Sequence, residues 1–232
     1  MENLFSVHQQ VAIVSSFSEL ITKYFHGEVN ALCWQRNLEG DFKEVVSQLQ
    51  LKENITEISI EDLQQLKLSD KGNIAREIII DDLANLTAFG AMPTLNLLKS
   101  YDRDDEFDFI STDVYSFHVD RSPIGTDTFL CTYYGASSDI IPNDEVEQKI
   151  LIPEVRAALK ELHEGTEEDF EDFLKDNYFD LHYQPKPNAQ PVNLGLGHLW
   201  RLAVDHPDQE VLPCVHRAPK ENEDEYRLLL IC

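Results

Sequence analysis

The sequence predicts an α+β domain built on an antiparallel sheet or barrel, and three observations lead there. Residues 1–92 carry apolar groups mostly at helical spacing. From residue 93 onward, β-branched and aromatic runs alternate with turn formers. One acidic helical insert, about residues 145–180, interrupts those runs. The 232 residues suffice for one domain of generous size whose core needs no covalent staple. Residues 1–232 therefore read as a single domain, with a mainly helical part over 1–92 and a strand-rich core over 93–232.

Taken in order, residues 8–25 (HQQVAIVSSFSELITKYF) show helical spacing, and NALCWQR at 30–36 reads as a short strand. GDFKEVVSQLQ at 40–50 reads as a helix with Asp41 at its N-cap, and 72–89 as a helix stopped by Gly90 and Pro93. Strands are expected at 94–101, 110–119 and 127–134. The charge runs of the insert, such as EGTEEDFEDF, read as a solvated helix face, and the Pro-rich QPKPNAQP closes it. VNLGLGHLWRLAV, EVLPCVHRA and EYRLLLIC then read as three strands joined by polar turns. No internal repeat is visible.

Charge and cysteine usage narrow the function. Nineteen Lys+Arg against forty-three Asp+Glu give 19 − 43 = −24. Phosphate backbones and anionic lipid surfaces repel such a chain, so no nucleic-acid and no membrane partner is expected. No window approaches the roughly 18 apolar residues of a membrane span. The opening MENLFSVHQQVAIVSSF has neither a basic start nor a clean apolar run, so it does not read as a signal peptide. Cys33, Cys131, Cys214 and Cys232 form no CxxC pair, which excludes a zinc knuckle and fits a reduced, cytoplasmic protein.

Two segments carry chemistry. In Ser116-Phe117-His118-Val119-Asp120, strand alternation puts His118 and Asp120 on one face, with Phe117 and Val119 on the other. An imidazole beside a carboxylate supplies two corners of a 2-His-1-carboxylate metal face. A second H-x-D, His206-Pro207-Asp208, sits in a turn-like stretch whose Pro argues against a central strand. The second segment runs from Cys214-Val215-His216-Arg217 to Tyr226-Arg227. His216 offers the missing imidazole, with His198 as its competitor. Arg227, eleven residues further on, could bring a guanidinium to the same pocket, where its planar fork suits a carboxylate.

H-x-D, a distal His and an Arg about ten residues later resemble the Fe(II)/2-oxoglutarate-dependent dioxygenases, and HRAPKENEDEYRLLL resembles the HR…RxS ending of their plant-type members. The resemblance implies a double-stranded β-helix, a cupin-like jelly roll. It also implies Fe(II) on His118, Asp120 and His216, with Arg227 holding the distal carboxylate of 2-oxoglutarate. Leu229 stands where the pattern has Ser. VNALCWQRNL, FHVD, FLCTYYG and HRAP…YRLLL, spanning roughly 28–231, also resemble a bacterial family known only as a domain of unknown function.

Other residues are weighed beside these. Tyr133 or Tyr134 could line the pocket and bond a co-substrate carboxylate, and Tyr133 is taken as the candidate; core packing is the alternative. At most one of Trp200 and Arg201 faces the pocket. Arg217 is expected on the opposite face from His216, in a surface ion pair, and Arg121 at the pocket mouth or in solvent. Cys131 and Cys214 read as apolar packing. The expected function is a dioxygenase acting on a small molecule or a basic protein segment. The alternatives are a non-catalytic cupin-like protein that binds Zn(II) or a small ligand, and a scaffold whose acidic surface docks a basic partner.

Overall fold

The computed structural model describes residues 9–232. Its N-terminal part holds β1 (Val11–Val14), α1 (Phe17–Thr22), β2 (Ala31–Trp34), α2 (Phe42–Gln48), β3 (Ile55–Glu57), α3 (Ile60–Gln65), α4 (Asp70–Phe89) and β4 (Thr94–Leu98). There follow β5 (Phe117–His118), β6 (Asp127–Tyr134), β7 (Asp139–Ile140), β8 (Val146–Gln148), α5 (Pro153–Leu162) and α6 (Phe170–Asp176). The chain closes with β9 (His182–Pro185), β10 (Val192–Asn193), β11 (Leu199–Ala203), β12 (His216–Arg217) and β13 (Arg227–Ile231). The fold is α+β with two sheets, ordered β1-β2-β11-β6-β13-β4-β3 and β10-β7-β12-β5-β9-β8. Within each sheet the neighbours are antiparallel, apart from the parallel pair β1–β2.

Side-chain alternation divides the seven-stranded sheet into two faces. On β6, Phe129, Cys131 and Tyr133 join Leu95, Leu97, Leu228 and Leu230 in a core against α1–α4, with Leu20, Val45, Leu63, Ile79 and Leu86 from the helices. On the other face, Leu98, Leu130, Trp200, Leu202 and Leu229 pack with Ile140, Leu194 and Cys214 from the side of the six-stranded sheet. Each large apolar side chain so buried contributes roughly 1.5–3 kcal/mol of transfer free energy. Phe117, Val119 and Val215 lie on the outer face of the second sheet, in a further cluster with Leu181. Their chain neighbours therefore turn inward, and that parity builds the site.

Local chemistry fixes the elements. Ser69 caps α4 by accepting from the Gly72 amide at 3.2 Å, and Gly90 ends it in the left-handed region at φ 101°. Arg201 points outward: its guanidinium pairs with Asp127 and caps α1 through the carbonyls of Leu20, Ile21 and Lys23. Gly135, at φ 84°, follows β6. A Cβ there would lie 2.6 Å from the Tyr226 carbonyl oxygen and 2.9 Å from Arg227 Cα, so only glycine lets β6 run this close to the start of β13.

Several expectations are corrected. Residues 8–25 are not one helix: the β-branched Val11–Val14 run pairs with β2, and α1 starts only after Ser16, whose side chain accepts from the Glu19 amide; residue 8 lies outside the described residues, as does much of the opening segment read for a signal peptide. Besides the expected strand at 30–36, which forms as β2, the 1–92 part supplies β1 and β3 to the seven-stranded sheet. Of 110–119 only Phe117–His118 is strand; Asp104 and Asp113 hold the preceding residues in turns by accepting from the amides of Thr112, Tyr115 and Ser116. The 145–180 insert contains β8 before its helices. Those helices bury Leu159, Phe170 and Leu174 against Ile110 and leave much of their acidic charge exposed. Among the described residues, no helix is long and apolar enough to cross a membrane.

Candidate metal centre

Strands β12, β5 and β9 are neighbours, and their register aligns His216 with His118 and His118 with His182. Three imidazoles thus stand in a row on the inner face of the six-stranded sheet. The rings of His118 and His216 are 4.5 Å apart, and those of His118 and His182 are 5.8 Å apart. Asp120, two residues beyond His118, returns to the same face. Its carboxylate lies 4.0 Å from His118 Nε2 and 3.6 Å from His216 Nε2.

His118, Asp120 and His216 each offer a ligand atom, and these atoms all lie within 4.8 Å of one another, so the group could hold a metal ion. The fit shows in the tautomers. His118 Nδ1 sits 2.8 Å from the Ser116 carbonyl and His216 Nδ1 sits 3.2 Å from the Cys214 carbonyl. Each Nδ1 therefore carries the proton, and each Nε2 presents a lone pair to the common centre, the arrangement metal-binding histidines adopt. The Thr128 hydroxyl donates to the Asp120 carboxylate and orients it. Burial, and then His216, push His118 down to about 4, so it stays neutral at ordinary pH. Burial alone would raise the Asp120 carboxyl, but His216, the Thr128 hydroxyl and His118 together hold it below its ordinary value.

The same residues line a cavity of about 290 Å³ between the sheets, shared with Leu98, Leu130, Leu229 and Arg227. Arg227 is 6% exposed. Its Nη2 donates to Thr132 Oγ1 at 3.1 Å and Ser138 Oγ at 2.8 Å, its Nε is buried without a partner, and no carboxylate pairs with it among the described residues. Burial lowers its guanidinium from the ordinary value, with Tyr101 and Glu221 opposing. Leu229 faces this cavity as well, two residues along β13.

Tyr133 does not reach the cavity. It shares its face of β6 with Phe129 and Cys131, stacks on Phe42 at 5.5 Å, and donates from its hydroxyl to Asp82 at 2.7 Å. Tyr134 packs at the margin of that helix-side core. His198 is not the second imidazole, because its Nδ1 accepts from the Arg36 amide at 3.1 Å. Arg217 points outward onto Asp139 and over the Phe117 ring, Trp200 turns inward with its Nε1 donating to the Leu194 carbonyl, and Arg121 is locked between Asp180 and Asp205. His206 and Asp208 bond within their own turn. Burial raises the thiol of Cys214 and lifts that of Cys131 to about 12, which leaves neither reactive.

Tyr101, Thr132, Ser138 and His182 were not legible as site residues. Thr132 could have been found by parity, since it shares its face of β6 with Thr128 and Leu130. A larger cavity, about 430 Å³, lies elsewhere and is lined by Gln10, Asn30 and Asn143, whose side-chain amides bond one another and nearby backbone. Compared with family models, curated proteins and solved structures, the chain matches none.

Proposed function

We propose that the chain is an Fe(II)/2-oxoglutarate-dependent oxygenase on a double-stranded β-helix core, acting in the cytoplasm on a small molecule or a basic protein segment. One observation carries the reading: a buried arginine with no carboxylate partner among the described residues shares a cavity with a 2-His-1-carboxylate group. An unpaired buried charge costs several kcal/mol, and a ligand that brings the missing carboxylate removes that cost. His118, Asp120 and His216 would hold the iron, and Arg227 would take the distal carboxylate of 2-oxoglutarate through a planar, charge-assisted fork. Ser138, on the neighbouring β7 side, supplies a hydroxyl next to Arg227 where Leu229 supplies none. Tyr101 lines the same space.

The bound pair supplies oxygen activation: 2-oxoglutarate, O₂ and a C–H substrate become succinate, CO₂ and the hydroxylated product. The chain's own part is to orient the two imidazoles through Ser116 and Cys214, to place the carboxylate, and to keep the cavity dry with Leu98, Leu130 and Leu229. A net charge of −24 disfavours nucleic-acid substrates. The competing reading, a non-catalytic barrel that binds Zn(II) or a small ligand, uses the same three ligands but leaves Arg227 without a purpose.

The test is anaerobic loading with Fe(II) followed by 2-oxoglutarate. A weak visible charge-transfer band is expected, absent in His118→Ala and requiring far more 2-oxoglutarate in Arg227→Met. Stoichiometric Zn(II) binding with no 2-oxoglutarate binding would overturn the oxygenase and favour the non-catalytic barrel.

A further inference from the structure

His182 completes the row of imidazoles but is not one of the three grouped ligands. It is 4% exposed and lines a second, open cleft of about 270 Å³, which it shares with His118, Asp120, Asp113 and Tyr178. His118 and Asp120 border both cavities, so the candidate metal centre lies between the Arg227 side and this cleft. The Nδ1 atoms of His118 and His216 each meet a backbone carbonyl; that of His182 is buried and has no hydrogen-bond partner among the described residues. A proton on it would be a buried donor without an acceptor, the costly arrangement, so the ring carries its proton on Nε2.

Tyr178 borders the same cleft. It follows the C-terminal cap of α6 in the left-handed conformation common there, at φ 60° and ψ 13°, with its amide donating to the Lys175 carbonyl at 3.0 Å and its side chain exposed.

We propose that His182 is a substrate-positioning residue: through Nε2–H it donates to a neutral oxygen acceptor, an amide carbonyl or an alcohol, on a substrate lying in the open cleft beside His118 and Asp120. The acceptor is neutral because the cleft already holds the carboxylates of Asp113 and Asp120, while the charge of Arg121 is matched by Asp180 and Asp205. The proposal deepens the oxygenase reading and rests on it for the identity of the occupant.

Long-range proton–nitrogen correlation spectra of the full chain, metal-free and Zn(II)-loaded, test it without a variant that might not fold. His118 and His216 are expected as Nδ1–H tautomers and His182 as Nε2–H. N-methylacetamide, the probe for a neutral acceptor, should shift His182 Nε2 saturably; methylammonium should not, and acetate should act roughly tenfold more weakly or less. An Nδ1–H tautomer at His182, no saturable shift, or equal shifts from all three probes overturns the proposal. Metal stoichiometry and the 2-oxoglutarate band, measured on the same sample, report separately on the oxygenase reading.

Discussion

Two arginines on opposite sides of the seven-stranded sheet, Arg36 and Arg227, are partnered in opposite ways. On the helix side, Arg36 meets Asp82 at 2.6 Å, donates from Nε to the Gly197 carbonyl, and lies over the Trp34 ring. Tyr133 fills the other oxygen of Asp82. Burial works against the charge on Arg36, but Asp82 outweighs it and the guanidinium is held above its ordinary value. On the inner side, Arg227 meets two hydroxyls and, among the described residues, no carboxylate, and burial holds it below its ordinary value. The first network is closed within the chain and needs nothing from outside. The second lacks one anion, so a ligand can complete it. A buried ion pair is explained by structure alone, whereas a buried cation that meets only hydroxyls in a cavity marks a candidate ligand site.

The comparison is broken most severely by acid, which attacks the inner side. Burial, with His216, holds His118 down to about 4; burial, with His118 and Lys149, holds His182 down to about 3. An unfolded imidazole takes its proton near pH 6.5. Both groups therefore contribute full stability above pH 6.5, and that stability is lost as the pH falls from 6.5 towards 4 and below. At about 1.4 kcal/mol per pH unit, full titration is worth on the order of 3 kcal/mol for His118 and on the order of 5 kcal/mol for His182. Urea unfolding measured stepwise from neutral pH to pH 4 should show this decline, and Zn(II) should move it to lower pH by competing with protons. A flat profile would refute neutral, buried imidazoles at His118 and His182.

On the helix side the expected damage comes from Asp82→Ala. It leaves Arg36 buried without its carboxylate and Tyr133 without its acceptor, and should cost roughly 3–5 kcal/mol. Where the variant stays folded, its metal and 2-oxoglutarate binding should match the native chain, because Asp82 is on the far side of the sheet. Lost ligand binding at full stability would contradict the assignment of Asp82 to structure.

Legibility followed the same divide. His118 and Asp120 could be read because H-x-D on a strand forces both onto one face; His216 and Arg227 do share a cavity, but across the two sheets, since β12 and β13 lie in different sheets and Arg227 is not on a return strand paired with β12. Tyr133 was misplaced because alternation says that Tyr133 and Thr132 face opposite ways but not which way is inward; that was settled by α4 packing on one side. His182 was hidden by register, since nothing near Leu181-His182-Tyr183 signals that β9 will align it with His118 across β5. β1 was misread as helix because Val11–Val14 also fits helical spacing, and only its pairing with distant β2 decides. Two-residue strands such as β5, β7, β10 and β12 are too short to show any period.

Smaller effects sharpen the contrast. Arg227→Met removes a buried cation that meets two hydroxyls and no carboxylate in ion-pair contact among the described residues, so stability should hold or rise by up to a few kcal/mol. The same change should weaken 2-oxoglutarate binding by about 1.5–3 kcal/mol, roughly 10–150-fold, the value of hydrogen bonds to a charged group. Calorimetric titration of the Zn(II)-loaded chain reads the affinity and thermal unfolding reads the stability. A variant that loses much stability and no affinity would show that Arg227 is structural after all.

Tyr133→Phe is the mildest change and the cleanest control. It removes one hydroxyl, and Asp82 keeps its pair with Arg36, so the cost should be about 1 kcal/mol. Because the ring packs on Phe42 beneath the helices, 2-oxoglutarate affinity should stay within experimental error of the native value. A loss of affinity comparable to that of Arg227→Met would mean that the helix side communicates with the cavity through β6, where Tyr133 and Thr132 are neighbours. Equal affinity at slightly lower stability would confine the role of Tyr133 to the closed network of Arg36 and Asp82.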